Sequence, residues 1–336
     1  MTIRFPSRST TKRFGAGERP RILLVAAPAV REAMQAMPAD FPGADIAVVP
    51  DELEAITEAV TGAHGMIGCP RPLFSDDLLR RAGDSLKWIH VPGAGVEEFI
   101  IPALVDSDIT LTNGRVIQGP EVADHALALT LALTRNLYLI LAGKAAGPVP
   151  RPVELRGKTL IVLGVGGIGM LVAERAVAFG MTVIGVDPDY VPMSCVLERT
   201  VGPEEIRDVL PLGDVVIMAA PHAPDSDPLM GPGEFAAMKK GAYFVNVSRG
   251  RTVDTAALTE ALRSGHLGGA GLDVTDPEPL PGDHPLRSLD NVVLTPHIAG
   301  LSEHNRARSL ELIRKNIGRF IANRPLINVV NKELGY

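Results

Sequence analysis

The chain has 336 residues, 46% hydrophobic and 21% charged, with 33 Lys and Arg against 39 Asp and Glu for a net charge of −6. That length suggests about two domains, and so apolar a composition excludes a disordered chain. The negative balance gives no general attraction to phosphate backbones or anionic membranes, which argues against nucleic acid or a membrane as the main partner. Cys69 and Cys195 are the only cysteines; they form neither a zinc spacing nor a disulfide framework, which suits a reducing cytoplasm.

Residues 1–20 are basic, with Glu18 the only acid, and lack the apolar stretch of a secretory signal. They are expected to form a disordered extension. From Arg21 short apolar runs alternate with helical stretches. Candidate strands are 21–26 (RILLVA), 46–49, 65–68, 86–91 and 109–112, with helical patterns at 30–37 and from Asp51. Strands separated by helices imply βαβ units and a parallel sheet. Residues 121–137 (EVADHALALTLALTRNL) are apolar nearly all round, so this helix should be buried on every side, in a core or against a second subunit. The apolar stretch 123–143 carries His125 and Arg135, which leaves its uncharged runs short of the ~20 residues a membrane span needs.

A Pro-rich loop at 147–157 leads into the middle of the chain. There, six candidate strands follow at 159–163, 182–186, 215–219, 243–247, 271–274 and 292–295, with helical stretches such as 171–179, 234–239 and 255–263 between most of them. Six is the strand count of a doubly wound dinucleotide-binding sheet. At 307, 310, 313, 317 and 320 or 321, apolar residues recur at steps of three and four, the mark of an amphipathic helix that returns to the first domain.

Gly164, Gly166 and Gly169 form G-x-G-x-x-G directly after one of these strands and directly before a helical stretch. In that context the first glycine allows a tight turn, the second lets backbone N–H groups approach a pyrophosphate, and the third packs helix on strand. The helix start then offers its partial positive charge to the phosphates. Gly167 and Ile168 lie inside the loop. Asp187 ends the next strand, 18 residues after Gly169, where a carboxylate accepts from ribose hydroxyls; with Asp189 nearby and no Arg or Lys before Arg199, charge favours NAD over NADP. Further on, Arg249, Glu278 and His297 each follow a candidate strand. Hydride transfer to a carbonyl leaves negative charge on oxygen. A histidine can supply the proton, a carboxylate can orient the ring, and an arginine can hold a substrate carboxylate in a bidentate pair.

The motifs HVPGAGVEEF (90–99), EVADHALAL (121–129), GVGGIG (164–169), NVSRGRTVD (246–254), GLDVTDPEP (271–279) and TPHIAG (295–300) resemble those of the D-isomer-specific 2-hydroxyacid dehydrogenases. The resemblance runs from about Leu86 to Asn331. It implies an NAD-dependent reduction of a 2-oxo acid to a D-2-hydroxy acid, or the reverse, with His297 as general acid/base, Glu278 as its partner and Arg249 as substrate anchor. It also implies that Asp187 meets the ribose, Asp273 the nicotinamide carboxamide, and Ser248 the cofactor, with the N–H groups of Ala94 and Gly95 at the substrate carboxylate. The implied architecture is α/β, with two doubly wound domains: a flavodoxin-like substrate domain from 21–113 and 302–336, and a Rossmann NAD-binding domain at 114–301 inserted into it. The active site would lie in the cleft, and 121–137 at a homodimer interface.

The chain departs from the pattern at Gly167, often basic in the family, at Thr275, where an aromatic is common, and before Glu154, where a Trp is frequent. No regulatory domain is expected after Asn331. Arg71, in the loop CPRPLF, is a candidate second cation for an anionic or polar substrate tail, and equally reads as a solvent-facing loop arginine. The other histidines show no ligand spacing and read as structural, with His222 bordering the expected cofactor site; no metal site is expected. None of the four tyrosines has a lysine four residues on, against a short-chain dehydrogenase. An NAD(H)-sensing corepressor on the same fold is the alternative from another functional class.

Overall fold

A computed structural model describes residues 18–141, 143, 150–189, 195–222 and 228–335. Most of the expected N-terminal extension, the start of the Pro-rich loop and two of the four tyrosines, Tyr190 and Tyr336, lie outside the described residues. The chain divides into two compact units, Met1–Ile117 with Ser302–Tyr336, and Gln118–Leu301.

The first unit holds a parallel sheet of β1 (Arg21–Ala26), β2 (Asp45–Pro50), β3 (Gly65–Ile67), β4 (Trp88–Val91) and β5 (Thr110–Asn113), in the order β2-β1-β3-β4-β5. The run RILLVA needs no polar alternation because helices cover both faces of such a sheet. Leu23, Val25, Met66, Ile89 and Leu111 pack into one core and Ile22, Leu24 and Trp88 into the other. That second core is closed by the helix Asn305–Ile321, whose Leu310, Ile313, Ile317 and Phe320 are buried; the Trp88 and Phe320 rings lie 5.0 Å apart. The chain ends are stitched by polar groups as well. Asn316, fully buried, accepts from the Ile327 N–H and donates to its carbonyl, and Val329 bridges Thr112. Asn113 N–H donates to Asn328 O and Gly114 N–H to Gly93 O. These bonds fasten 113 and 114 to the first unit, whose first segment runs to Ile117.

The second unit holds seven parallel strands: β6 (Thr159–Leu163), β7 (Thr182–Val186), β8 (Arg199–Val201), β9 (Val215–Met218), β10 (Tyr243–Asn246), β11 (Gly269–Leu272) and β12 (Val292–Leu294), in the order β12-β11-β10-β9-β6-β7-β8. Six are expected from the sequence. The seventh, β8, is a three-residue edge strand of sequence RTV with no buried residue to mark it. β11 starts two residues before its expected place, because GAGL carries almost no side-chain signal.

Those glycines have a packing cause. A Cβ on Gly271 would lie 2.9 Å from Leu129 Cβ, and one on Gly269 3.1 Å from a Leu133 methyl. Bare backbone on β11 lets the helix Gly119–Thr134 lie almost on the strand. This helix is shorter than the expected 121–137. Asn136 turns to a φ of 57°, and a second short helix, Leu137–Leu141, follows. Within the single chain it is not covered all round, for Asp124 and Ala128 are exposed, with Asp124 paired to Arg175 at 2.6 Å.

Candidate active site

Strand order places the glycine loop. The strand order reverses between β6 and β9, the switch point where doubly wound folds leave a crevice. Gly164 follows β6 there with a φ of 88°, and a Cβ on it would lie 2.5 Å from the Ala220 backbone just past β9. Gly169 is still tighter, since its Cβ would meet Gly164 O at 2.0 Å. Gly166, by contrast, has nothing within 4 Å of a Cβ position. It caps the 12-residue helix Gly167–Ala178, so open space faces the end of the helix where unpaired N–H groups gather. Ile168 packs into the core under the loop. These features fit a pyrophosphate. Asp187 Oδ2 accepts from Val165 N–H at 2.7 Å and Oδ1 from Asp189 N–H at 2.9 Å, tying the loop to the end of β7. An ionised carboxylate has further lone pairs for ribose hydroxyls.

The acid–base candidates come from three adjacent strand ends, since Arg249 follows β10, Glu278 follows β11 and His297 follows β12. The structure pairs two of them. His297 Nδ1 lies 2.6 Å from Glu278 Oε1, both side chains about half exposed. With Nδ1 facing the carboxylate, Nε2 is the ring nitrogen left to exchange a proton with a substrate. Arg249 is set by the β10 end, where its Nη1 donates to Ser248 O at 2.8 Å. Ser248 is buried, its N–H and hydroxyl both donating to Asn246 Oδ1. Thr275, the departure beside Glu278, donates to Pro277 O at 2.9 Å.

Asp273, expected at the nicotinamide carboxamide, has a side chain only 1% exposed. Oδ1 accepts from Ile298 N–H at 3.0 Å and from the Thr295 hydroxyl at 2.6 Å, Oδ2 from Ala299 N–H at 2.9 Å, and its own carbonyl from His297 N–H at 3.0 Å. Burial alone would raise its pKa, but the donors of His125, Thr295, Ala299 and Ile298 outweigh it and hold the value down at about 2. Asp273 thus fastens the turn that carries His297. That turn is strained, because His297 has a φ of 54°; the left-handed region costs a non-glycine residue about 1 kcal/mol. His125, read from sequence as structural, reaches this cluster with Nε2 2.9 Å from Thr295 Oγ1. No local signal marks it, since its partner lies 170 residues away.

Arg71, Ala94 and Gly95 belong to the first unit. Asn113 Nδ2 donates to Ala94 O at 2.6 Å and so fixes the loop after β4. Arg71 pairs with Glu98 at 3.2 Å, both largely exposed. His222, four residues past the end of β9, is half-buried. Among the described residues no helix is long and apolar enough to cross a membrane.

Residues 127–299, nearly the whole second unit, match the family model described as the NAD binding domain of D-isomer specific 2-hydroxyacid dehydrogenases. A glyoxylate reductase from Aeropyrum pernix is 40% identical over 77% of this chain and 80% of its own length. A D-3-phosphoglycerate dehydrogenase from Methanocaldococcus jannaschii is 33% identical over 83% of this chain and 53% of its own; the chain spans about half the length of such relatives. A D-isomer specific 2-hydroxyacid dehydrogenase from Xanthobacter autotrophicus, solved with NADPH and MES, superposes with a TM-score of 0.77 at 27% identity, covering 95% of this chain and all of that one. On this likeness, and with a dinucleotide loop and a His–Glu pair in one unit, the chain belongs to the D-isomer-specific 2-hydroxyacid dehydrogenase family, and its second unit is that family's NAD-binding domain.

Proposed function

We propose that the chain is an NAD-linked oxidoreductase that interconverts a 2-oxo acid and a D-2-hydroxy acid. The observation that carries the reading is the 2.6 Å contact between His297 and Glu278, held on the strand-end edge that also carries Arg249. When bound, the nicotinamide supplies or accepts the hydride. In the direction of reduction His297 gives the proton at Nε2 to the carbonyl oxygen, while Glu278 keeps the ring oriented through Nδ1. Arg249 holds the substrate carboxylate and stabilises the negative charge that develops on the oxygen. The N–H groups of Ala94 and Gly95 bind the same carboxylate, on a loop steadied by Asn113.

NAD is the preferred cofactor, because a 2′-phosphate would face the Asp187 carboxylate. The relative from Xanthobacter holds NADPH, which makes this preference worth testing separately. Arg71 supplies a second cation for an anionic or polar substrate tail, with Glu98 as its resting partner. The working form is a cytoplasmic homodimer built on 121–137 and the segment after it, where Leu137, Ile140 and Leu141 are 43%, 54% and 87% exposed.

The test follows nicotinamide absorbance with a panel of 2-oxo acids, using NADH and NADPH in parallel. Oxidation of NADH by one or two acids supports the reading and names the substrate. Faster oxidation of NADPH refutes the cofactor preference, and silence across the panel refutes the activity. An unchanged KM for every accepted acid in Arg71→Ala removes that residue from the site, and a monomer at micromolar concentration in sedimentation removes the dimer.

A further inference from the structure

The turn that carries His297 is fastened from below by a residue of the long helix. His125, Leu129 and Leu133 recur every four residues on one face of Gly119–Thr134, a step of about 6.0 Å along a helix. Gly271 and Gly269 alternate on one face of β11, a step of about 6.6 Å along a strand. Leu133 rests on Gly269 and Leu129 on Gly271, so the next rung sets His125 against Asp273. There its Nε2 lies 3.4 Å from Asp273 Oδ1 and 2.9 Å from Thr295 Oγ1.

The proton on His125 follows from its partners. Thr295 has one hydroxyl proton and donates it to Asp273 Oδ1 at 2.6 Å. The ionised Asp273 has none to return, so His125 must carry a proton on Nε2 and donate it to Thr295 Oγ1. The order is then His125 to Thr295 to Asp273, with Asp273 taking up the N–H groups of 298 and 299 and, through its carbonyl, that of His297.

We propose that His125 is a positioning residue for the acid–base pair: its Nε2–H, acting through Thr295 and Asp273, holds the strained turn that aims His297. The proposal rests on the proposed activity for its kinetic consequence and on geometry alone for its structural one. Strain of this kind persists only where the surroundings over-determine it. Removing the Nε2 donor frees the Thr295 hydroxyl and loosens the Asp273 carboxylate that holds the turn.

The test uses the full chain with His125→Leu, which removes the donor, and His125→Gln, which keeps an N–H near the same place. Imidazole ¹⁵N spectra of the parent protein should show neutral His125 protonated on Nε2; the Nδ1–H form overturns the proposal. The His297 imidazole signals should shift or broaden in His125→Leu and return toward the parent in His125→Gln. With an acid that the parent reduces, kcat in His125→Leu should fall about 10- to 100-fold, as expected for a misplacement approaching 1 Å, while the Kd for NADH stays within about twofold, well under a tenfold (1.4 kcal/mol) change. His125→Gln should recover most of that loss. Unchanged His297 signals in His125→Leu, or an equal disturbance in both variants, overturns the positioning role. If His125→Leu does not fold, parent-like His297 signals in His125→Gln sustain the proposal and disturbed ones sink it. If no 2-oxo acid is turned over, the activity reading fails, and the imidazole spectra still decide the role of His125.

Discussion

Gly166 and Gly169 sit three residues apart in the same loop, yet a methyl group on each should do opposite things. A Cβ on Gly169 would sit 2.0 Å from Gly164 O and 3.0 Å from its carbonyl carbon, both backbone atoms that cannot rotate aside. The helix must shift by more than 1 Å to restore ordinary contact, and overpacking of this kind costs about 1–3 kcal/mol. For a unit of this size that lowers Tm by roughly 2–4 °C per kcal/mol. A Cβ on Gly166 meets nothing within 4 Å, and its φ of −75° suits any residue. Gly166→Ala should therefore keep its Tm, or raise it slightly through a stiffer unfolded chain. The new methyl would instead occupy the space into which the pyrophosphate comes. Losing one charge-assisted hydrogen bond there costs about 1.5–3 kcal/mol, or roughly a 10- to 150-fold weaker Kd for NADH. Thermal unfolding without cofactor, paired with titration of NADH fluorescence, separates the two effects. Parent-like NADH affinity in Gly166→Ala at unchanged Tm would refute the placement of the phosphates at this loop.

His297→Gln should lower kcat about 10²- to 10⁴-fold, the usual worth of a general acid, with NADH binding intact; a parent-like kcat in steady-state assays assigns the proton to another group. Asp273→Asn should destabilise the protein by about 1–3 kcal/mol at pH 7, because the amide offers a donor where the turn needs acceptors. Since the folded pKa of Asp273, about 2, lies below its ordinary 3.8, its stabilisation is present above pH 4 and is lost as the pH falls from about 4 to about 2; urea denaturation across that range should show the parent and the variant converging. His90 is buried with its Nδ1 on Thr112, and burial lowers its pKa from 6.5 to about 4. The unfolded chain takes the proton first, so the first unit should lose about 3 kcal/mol as the pH falls from 6.5 to 4. Trp88, the only tryptophan and a member of the same sheet, reports that unfolding; an equally steep acid slope in His90→Gln would refute the assignment.

Much of this was legible in the residues. RILLVA and TLIVL announce strands buried on both faces, and the glycine loop stands where its strand and helix demand. Arg249, Glu278 and His297 follow three adjacent strands, a placement the strand pattern of the sequence already suggested. Features held by distant contacts were not legible. β8 has only an edge to pair with and no core face to advertise. The weak pattern of β11 became intelligible only with Leu129 and Leu133 lying on it. The hold of Asp273 on the His297 turn was hidden too, because the donors to its carboxylate lie 22 to 26 residues ahead. His125 sits in an apolar helix with nothing nearby in sequence to betray a partner.

The first unit is assembled from both ends of the chain, and this sets an order on its making. Ile22, Leu24 and Trp88 leave the ribosome early, but the helix Asn305–Ile321 that covers them is translated some 200 residues after Trp88. At about 5–20 residues per second that interval lasts on the order of 10 s or more. The second unit, continuous from Gln118 to Leu301, is complete before the first has its lid. The half begun first is thus the last to close, and for those seconds an apolar sheet face is open to chaperones and to neighbouring chains.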